Sequence, residues 1–305
     1  MIAMRSVKSS LIGVSSATKR RAFMIFVCAQ VLGLYAVCAQ ELPQPRIEEE
    51  ISKQEKIYRS RGDEVPRGYV IDRGLSGYAE LLPAGFCDAL GKLRSSDQWL
   101  DIGAGSGQAI LDYYAPRDDD GAGKKCAGAG EKARALAISI EDRRTDTWQQ
   151  QATSLGASRI RYLSGKRLRD YSSEELGKFR IITDVFGGFS YSERLYLFVD
   201  KVLSLLEIGG TFYTLVPGVH LENAKDKLGI LYLTELEDAT GRPERMCSWL
   251  KKSACTQVTC ESKSDWKRPT ELIKIEKVCS DTSVAPMKLL EFEAGYPPSR
   301  RFQIE

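Results

Sequence analysis

The chain has a single histidine, His220, no Cys-x-x-Cys pair and no Gly-x-Gly-x-x-Gly run. Without paired cysteines or clustered histidines, the usual zinc ligand sets are missing, and no metal site is expected. Without the dinucleotide glycine spacing, a nicotinamide oxidoreductase is disfavoured. A basic footprint is missing as well. The formal net charge of +3 falls to about −2 once the first 39 residues, with five positive and no acidic side chains, are set aside. No nucleic-acid partner is expected from such a balance. The doublets Lys251-Lys252 and Arg300-Arg301 read as solvated surface.

What remains is an ordinary globular composition over 305 residues, with 43% hydrophobic and 28% charged side chains. The first 39 residues stand apart. Arg5, Lys8, Lys19, Arg20 and Arg21 precede an apolar run from Ala22 to Ala39 that ends Val37-Cys38-Ala39. That pattern predicts an export signal cut after Ala39 and a periplasmic or secreted protein, with an uncleaved membrane anchor as the alternative. Contact with a membrane is expected only through this segment. Lys19-Arg20-Arg21-Ala22-Phe23-Met24 is similar to the twin-arginine export motif, which leaves that route and the general one both open.

Cysteine parity agrees with export. Six cysteines follow the signal, at 87, 126, 247, 255, 260 and 279, enough for three disulfides in any of fifteen connectivities. Four of them crowd between Cys247 and Cys279, which predicts at least one bridge there, within a cysteine-rich insertion at residues 245–268.

The most informative run is Trp99 to Gly107, WLDIGAGSG, an apolar strand ending in Asp101 followed by Gly103, Gly105 and Gly107. Glycines at that spacing let a backbone turn sharply and bring N–H groups close to a ligand. The run resembles the first motif of the class I S-adenosylmethionine-dependent methyltransferases. Leu206-Glu207-Ile208-Gly209-Gly210 before Thr211 to Val216 looks like the turn into that family's fifth strand, and Phe179 to Asp184 like its fourth.

The resemblance implies a doubly wound, mostly parallel seven-stranded α/β sheet with an antiparallel C-terminal hairpin, at residues 97–305, behind an N-terminal helical cap at 40–96. It implies S-adenosylmethionine as cofactor and a small molecule or a protein as methyl acceptor. Asp101, Gly103, Gly105 and Gly107 would hold the methionine part. An acidic side chain after strand 2 would take the ribose hydroxyls, for which Glu141 is chosen over Asp142 and Ser139. Ser164-Gly165-Lys166 replaces the acidic residue that usually meets the adenine. Asp184 would act as a base or orient the acceptor, and Tyr191 would wall the reaction site. His220, after the fifth strand, would be a base near the cleft. The bland alternatives are a turn carboxylate at Asp101, a turn-capping Asp184, and a loop His220 without a role. The family's amide-methylating Asn-Pro-Pro-Tyr run is absent, which argues against nucleobase amines and glutamine as acceptors. An exported domain that keeps the fold and binds a ligand without catalysis is the alternative to an enzyme.

Periodicity orders the elements: a surface helix at 47–59, strands near 98–102, 134–140, 161–163, 180–185 and 211–216, and a helix at 108–114. An inserted loop is expected at 117–130 and a helix at 221–239. Glu271 to Val278 and Lys288 to Glu293 are expected to be the sixth and seventh strands.

Overall fold

Strand β1 (Gln98–Ile102) is buried along nearly its whole length, as a central strand covered on both faces must be. It pairs in parallel with β2 (Arg134–Ile138) on one side and β4 (Phe179–Asp184) on the other. β3 (Ile160–Leu163) continues the parallel sheet beyond β2, and β5 (Leu206–His220) beyond β4. The computed structural model describes residues 44–59, 72–117, 120–156, 158–220, 230–263, 270–295 and 297–305. The expected signal lies outside them. No helix among the described residues is long and apolar enough to cross a membrane.

Alternation along each strand assigns its side chains to two cores. On one face Leu100, Ile102, Leu136, Ile138, Ile182 and Phe212 meet the helix Leu195–Leu205 through Val199, Val202 and Leu203. On the other, Trp99, Ala135, Ala137, Ile181, Tyr213 and Leu215 meet Leu75, Tyr78, Phe86, Ile110 and Trp148 from four helices. The sheet is therefore doubly wound. The glycine turn expected before Thr211 lies inside β5 as an irregularity: Phe179 pairs with Leu206 but Ile181 with Thr211, and Gly209 in the excess has φ +75°.

Beyond β5 the outline holds but its residues are reassigned. Between them come the short strands β6 (Ile230–Tyr232), β7 (Thr234–Glu237) and β8 (Pro243–Glu244). β9 (Thr256–Lys263) and β10 (Thr270–Lys277) form an antiparallel hairpin, and β10 runs antiparallel to β5. The main order is β3-β2-β1-β4-β5-β10-β9. The expected sixth strand, Glu271 to Val278, thus falls in β10, last but one in this order and beside β5, and the edge strand β9 comes from the cysteine-rich segment. Lys288 to Glu293 is not in this sheet. It lies in β11 (Met287–Glu293), which pairs with β12 (Ser299–Ile304) in a second sheet of order β11-β12-β7-β8. Met287, Phe302, Ile304 and Leu236 carry that sheet into the core under the helix Leu195–Leu205.

Two other expectations are corrected. Leu221 to Ala239 is not one helix, because Ile230–Tyr232 and Thr234–Glu237 are strands; residues 221–229 lie outside the described set. Thr234 and Leu236 are buried and Glu235 and Glu237 are not, so the strand period of two prevails there over the helical one. The expected loop at 117–130 contains a helix, Gly121–Ala127, whose Asp120 accepts from Gly123 N at 2.7 Å.

Three disulfides form, Cys87–Cys126, Cys247–Cys260 and Cys255–Cys279, two of them within the expected interval. Cys247 and Cys260 lie near the buried Glu271, but their sulfurs are bonded to each other. Cys87–Cys126 ties the helix Phe86–Gly91 to the helix Gly121–Ala127 across 39 residues. Replacing both cysteines by serine is expected to lower the unfolding free energy by about 3 to 4 kcal/mol through the freed denatured chain. Denaturant midpoints of wild type and variant check this, and equal midpoints would refute it.

Candidate functional site

The strands wound toward β3 and those wound toward β5 part company between β1 and β4, which opens a crevice at the carboxyl ends of the strands. A cavity of about 630 Å³ occupies it, a volume suited to a drug-sized ligand. Its floor is built from three strand ends: Ile102, Gly103 and Gly105 after β1, Ile138 to Glu141 after β2, and Val185 to Gly188 after β4.

Gly103 and Gly105 turn with φ of +74° and +57°. A Cβ on Gly103 would lie 2.5 Å from the Cα of Gly187, so this glycine lets two loops touch backbone to backbone. Gly107, with φ +83°, borders the Trp148 indole and is not in the cavity wall; a Cβ there would stand 3.0 Å from Nε1. Its conformation serves loop-to-helix packing.

Asp101 is fully buried and does not line the cavity. Its carboxylate accepts from the Tyr78 hydroxyl at 2.9 and 3.0 Å and from Thr183 Oγ1 at 2.8 Å, and Trp99 Nε1 donates to the same Thr183 oxygen at 2.9 Å. Burial raises its pKa to about 7, against the pull of the Thr183 and Tyr78 hydrogen bonds.

Asp184 is also fully buried and away from the cavity wall. Oδ1 accepts from Gly187 N at 2.8 Å and Oδ2 from Phe189 N at 3.0 Å, so its carboxylate shapes the loop that walls the cavity. Burial raises this pKa to about 7 too, opposed by those backbone donors and then by the charge of Arg300.

Glu141 does line the cavity. Oε2 accepts from Arg143 at 2.9 Å, whereas Oε1 is buried with no protein partner. A buried carboxylate oxygen without a donor calls for a ligand hydroxyl or amine. β2 stops at Ile138, which places Ser139 in the wall beside it. Tyr162 fastens this corner by donating to Gly105 O and, at 3.3 Å, to Glu141 O.

Tyr191 lies in the wall at the end of the short helix Gly188–Tyr191. His220 ends β5.

Several lining residues escape sequence reasoning. Arg73 caps the crevice, its guanidinium carbon 4.8 Å from the centroid of Phe186, and burial lowers its pKa. Asp72 beside it accepts from Ser106 N at 2.9 Å, which fastens this strap to the glycine loop. Phe186 has φ +56°, rare for an aromatic residue and a sign of a loop held under constraint. Lys166, Arg167 and Arg169 come from the loop after β3, and Arg194, Phe198 and Lys201 from the last helix before β5. The only sequence signal for the first group is the density of basic residues from 166 to 169; for Arg73 there is none.

Strand order and the reversal of β10 between β5 and β9 define the fold as that of the class I methyltransferases. The chain is similar to a putative rRNA-methylase from Clostridium thermocellum at 14% identity, over 70% of this chain and 100% of that one, with a TM-score of 0.42. It is similar to an rRNA methylase from Streptococcus thermophilus at 12% identity, over 63% and 94%, with a TM-score of 0.40. A precorrin-6y C5,15-methyltransferase from Geobacter metallireducens gives 13%, 64% and 86%, and 0.36. No protein-family model and no curated protein matches the chain. Likenesses this distant carry nothing about substrate, and the fold assignment rests on the strand order itself.

Proposed function

We propose that this protein is an exported S-adenosylmethionine-dependent methyltransferase acting on a small molecule or a protein. The observation that carries the reading is the unpartnered Oε1 of Glu141, buried in the cavity wall at the end of β2. Two oxygens of one carboxylate suit the two hydroxyls of a ribose. The loop through Gly103 and Gly105 supplies the adjoining turn, so the residues present fit the cofactor. The three disulfides support an oxidising compartment and hence the export reading.

When bound, S-adenosylmethionine supplies an electrophilic methyl group on a positively charged sulfur. The protein's work is then alignment and exclusion of water rather than covalent catalysis. Glu141 anchors the sugar, the Gly103 to Gly105 turn fixes the adjoining chain, and Phe186 and Tyr191 wall the transfer point. Asp184 is a positioning residue that holds the loop carrying them through Gly187 N and Phe189 N. Asp101 plays the corresponding part beneath β1, through Tyr78 and Thr183.

A second reading, a silent ligand-binding domain, draws on the same geometry, because both buried aspartates are committed to structure and neither faces the cavity. Titration calorimetry with S-adenosylmethionine and S-adenosylhomocysteine tests the proposal. Glu141→Ala is expected to weaken binding by roughly 1.5 to 3 kcal/mol, tenfold or more in Kd, with the fold intact by circular dichroism. Failure of the wild type to bind either compound at millimolar concentration would overturn the cofactor reading.

A further inference from the structure

The cavity wall has a charge the rest of the chain does not share. Beyond the signal, the chain is net acidic, yet cations on the cavity wall outnumber carboxylates. Most of those cations have counterions. Arg143 pairs with Glu141 at 2.9 Å, Arg167 with Glu55 at 3.0 Å and Glu193 at 3.4 Å, Arg169 with Glu193, and Lys166 with Glu175 at 3.6 Å. Burial works against the Glu193 charge, but those two guanidiniums hold its pKa below the usual carboxylate value.

Arg194 and Lys201 differ. Neither makes a salt bridge among the described residues; Lys201 donates to Ser173 Oγ at 3.3 Å and lies in the field of Glu174 and Glu175. Arg194 is the N-terminal cap residue of the helix Leu195–Leu205, and Arg194, Phe198 and Lys201 are spaced i, i+4 and i+7. That spacing puts all three on one helix face, the two cationic residues about 10 Å apart along the axis at their Cα atoms, with Phe198 between them. All three line the cavity, and the half-exposed Leu197 adds apolar surface at its rim. Helix and loop are pinned together by Arg167 and Arg169 on Glu193, which fixes this face relative to the cavity.

We infer that the methyl acceptor is a small organic anion, bearing a carboxylate or a phosphate on an apolar body, which Arg194 and Lys201 hold by its oxyanion and Phe198 by its apolar part. The inference rests on the methyltransferase reading of the same cavity. A small ligand is favoured over a polymer because these residues line the same cavity of about 630 Å³ as Gly103, Gly105 and Glu141, a volume suited to small molecules. Paired cations flanking an aromatic ring recognise a charged group at a set distance from a hydrophobic one.

The test uses the mature protein saturated with S-adenosylhomocysteine and titrated with inorganic phosphate or with succinate. At least one anion is expected to bind, and Arg194→Gln/Lys201→Gln to weaken it by about tenfold or more, with S-adenosylhomocysteine affinity changed by less than about twofold. Lys125→Gln, an exposed charge elsewhere, controls for net charge and is expected to change neither. Tighter phosphate binding assigns a phosphate-bearing acceptor, and tighter succinate binding a carboxylate-bearing one. Anion binding equal in wild type and double variant overturns the inference. So does a wild type that binds S-adenosylhomocysteine but neither anion, in which case the cofactor reading stands. Failure to bind S-adenosylhomocysteine removes the cofactor reading, and the acceptor with it.

Discussion

Gly103→Ala is expected to cost about 3 kcal/mol or more of folding free energy, and to abolish the proposed S-adenosylmethionine binding in whatever fraction folds. Two independent costs meet at that position. The backbone has φ +74°, which an L side chain adopts only with strain. The added Cβ would also stand 2.5 Å from the Cα of Gly187, and the obstacle is backbone rather than a side chain able to swing away. Gly187→Ala meets the reverse contact, 2.5 Å to Ile102 O and 3.0 Å to Gly103 Cα, at an ordinary φ, so it isolates the steric part. Because the two variants disturb one contact, their effects should combine non-additively. Gly121→Ala is the control. Its Cβ meets nothing within 4 Å, and its stability should stay within about 0.5 kcal/mol of wild type or rise slightly. Urea unfolding of wild type, the three single variants and the Gly103→Ala/Gly187→Ala double variant decides the matter, and a Gly103→Ala protein as stable as wild type would refute the contact between the two loops.

The second large effect is a stability that falls as pH rises. Asp101 and Asp184 are fully buried, with pKa values raised to about 7, while an unfolded carboxyl titrates near 3.9. Between about pH 4 and 7 the unfolded chain has released these protons and the folded chain retains them. The unfolded state therefore binds fewer protons, and stability declines across that window, levelling above pH 7. Each group contributes several kcal/mol at most, since one pKa unit corresponds to about 1.36 kcal/mol. The half-exposed Asp238 has the opposite sign. Hydrogen bonds from Thr240 and Arg242 hold its pKa near 2, so what it adds is lost as pH falls from about 4 to 2. The unfolding free energy is thus expected to be greater at pH 5 than at pH 8. Asp101→Asn keeps an acceptor for Tyr78 and Thr183 but cannot titrate, and should flatten the slope. A denaturant midpoint independent of pH between 5 and 8, or a slope unchanged in Asp101→Asn, would remove the buried-carboxyl account.

Sequence alone carried the local decisions. A strand of apolar residues ending in Asp101 before three spaced glycines specifies a tight turn, because φ above zero is readily available only to glycine. Periodicity set most of the strands and the mostly parallel order, and the even cysteine count anticipated disulfides. Wherever two periods competed, as at 221–239, the stretch 230–237 followed a partner strand that no local pattern names. β9 was hidden for the same reason. An edge strand of Thr, Gln, Glu and Lys has little apolar signal of its own and is held by its pairing with β10 and by Cys247–Cys260.

The site shows the same division. Asp101, Glu141 and Asp184 all lie at or just beyond the carboxyl ends of strands, and sequence gives each of them a part in ligand or acceptor binding. Only packing separates them: Tyr78 descends onto Asp101, the loop after β4 folds back onto Asp184, and Glu141 alone keeps an oxygen turned to the cavity wall without a donor. Which carboxylate meets a ligand depends on what the other elements leave uncovered. So does the one-sided pair of Arg194 and Lys201, whose spacing is written in the helix but whose direction is set by the apolar face that helix buries against the sheet.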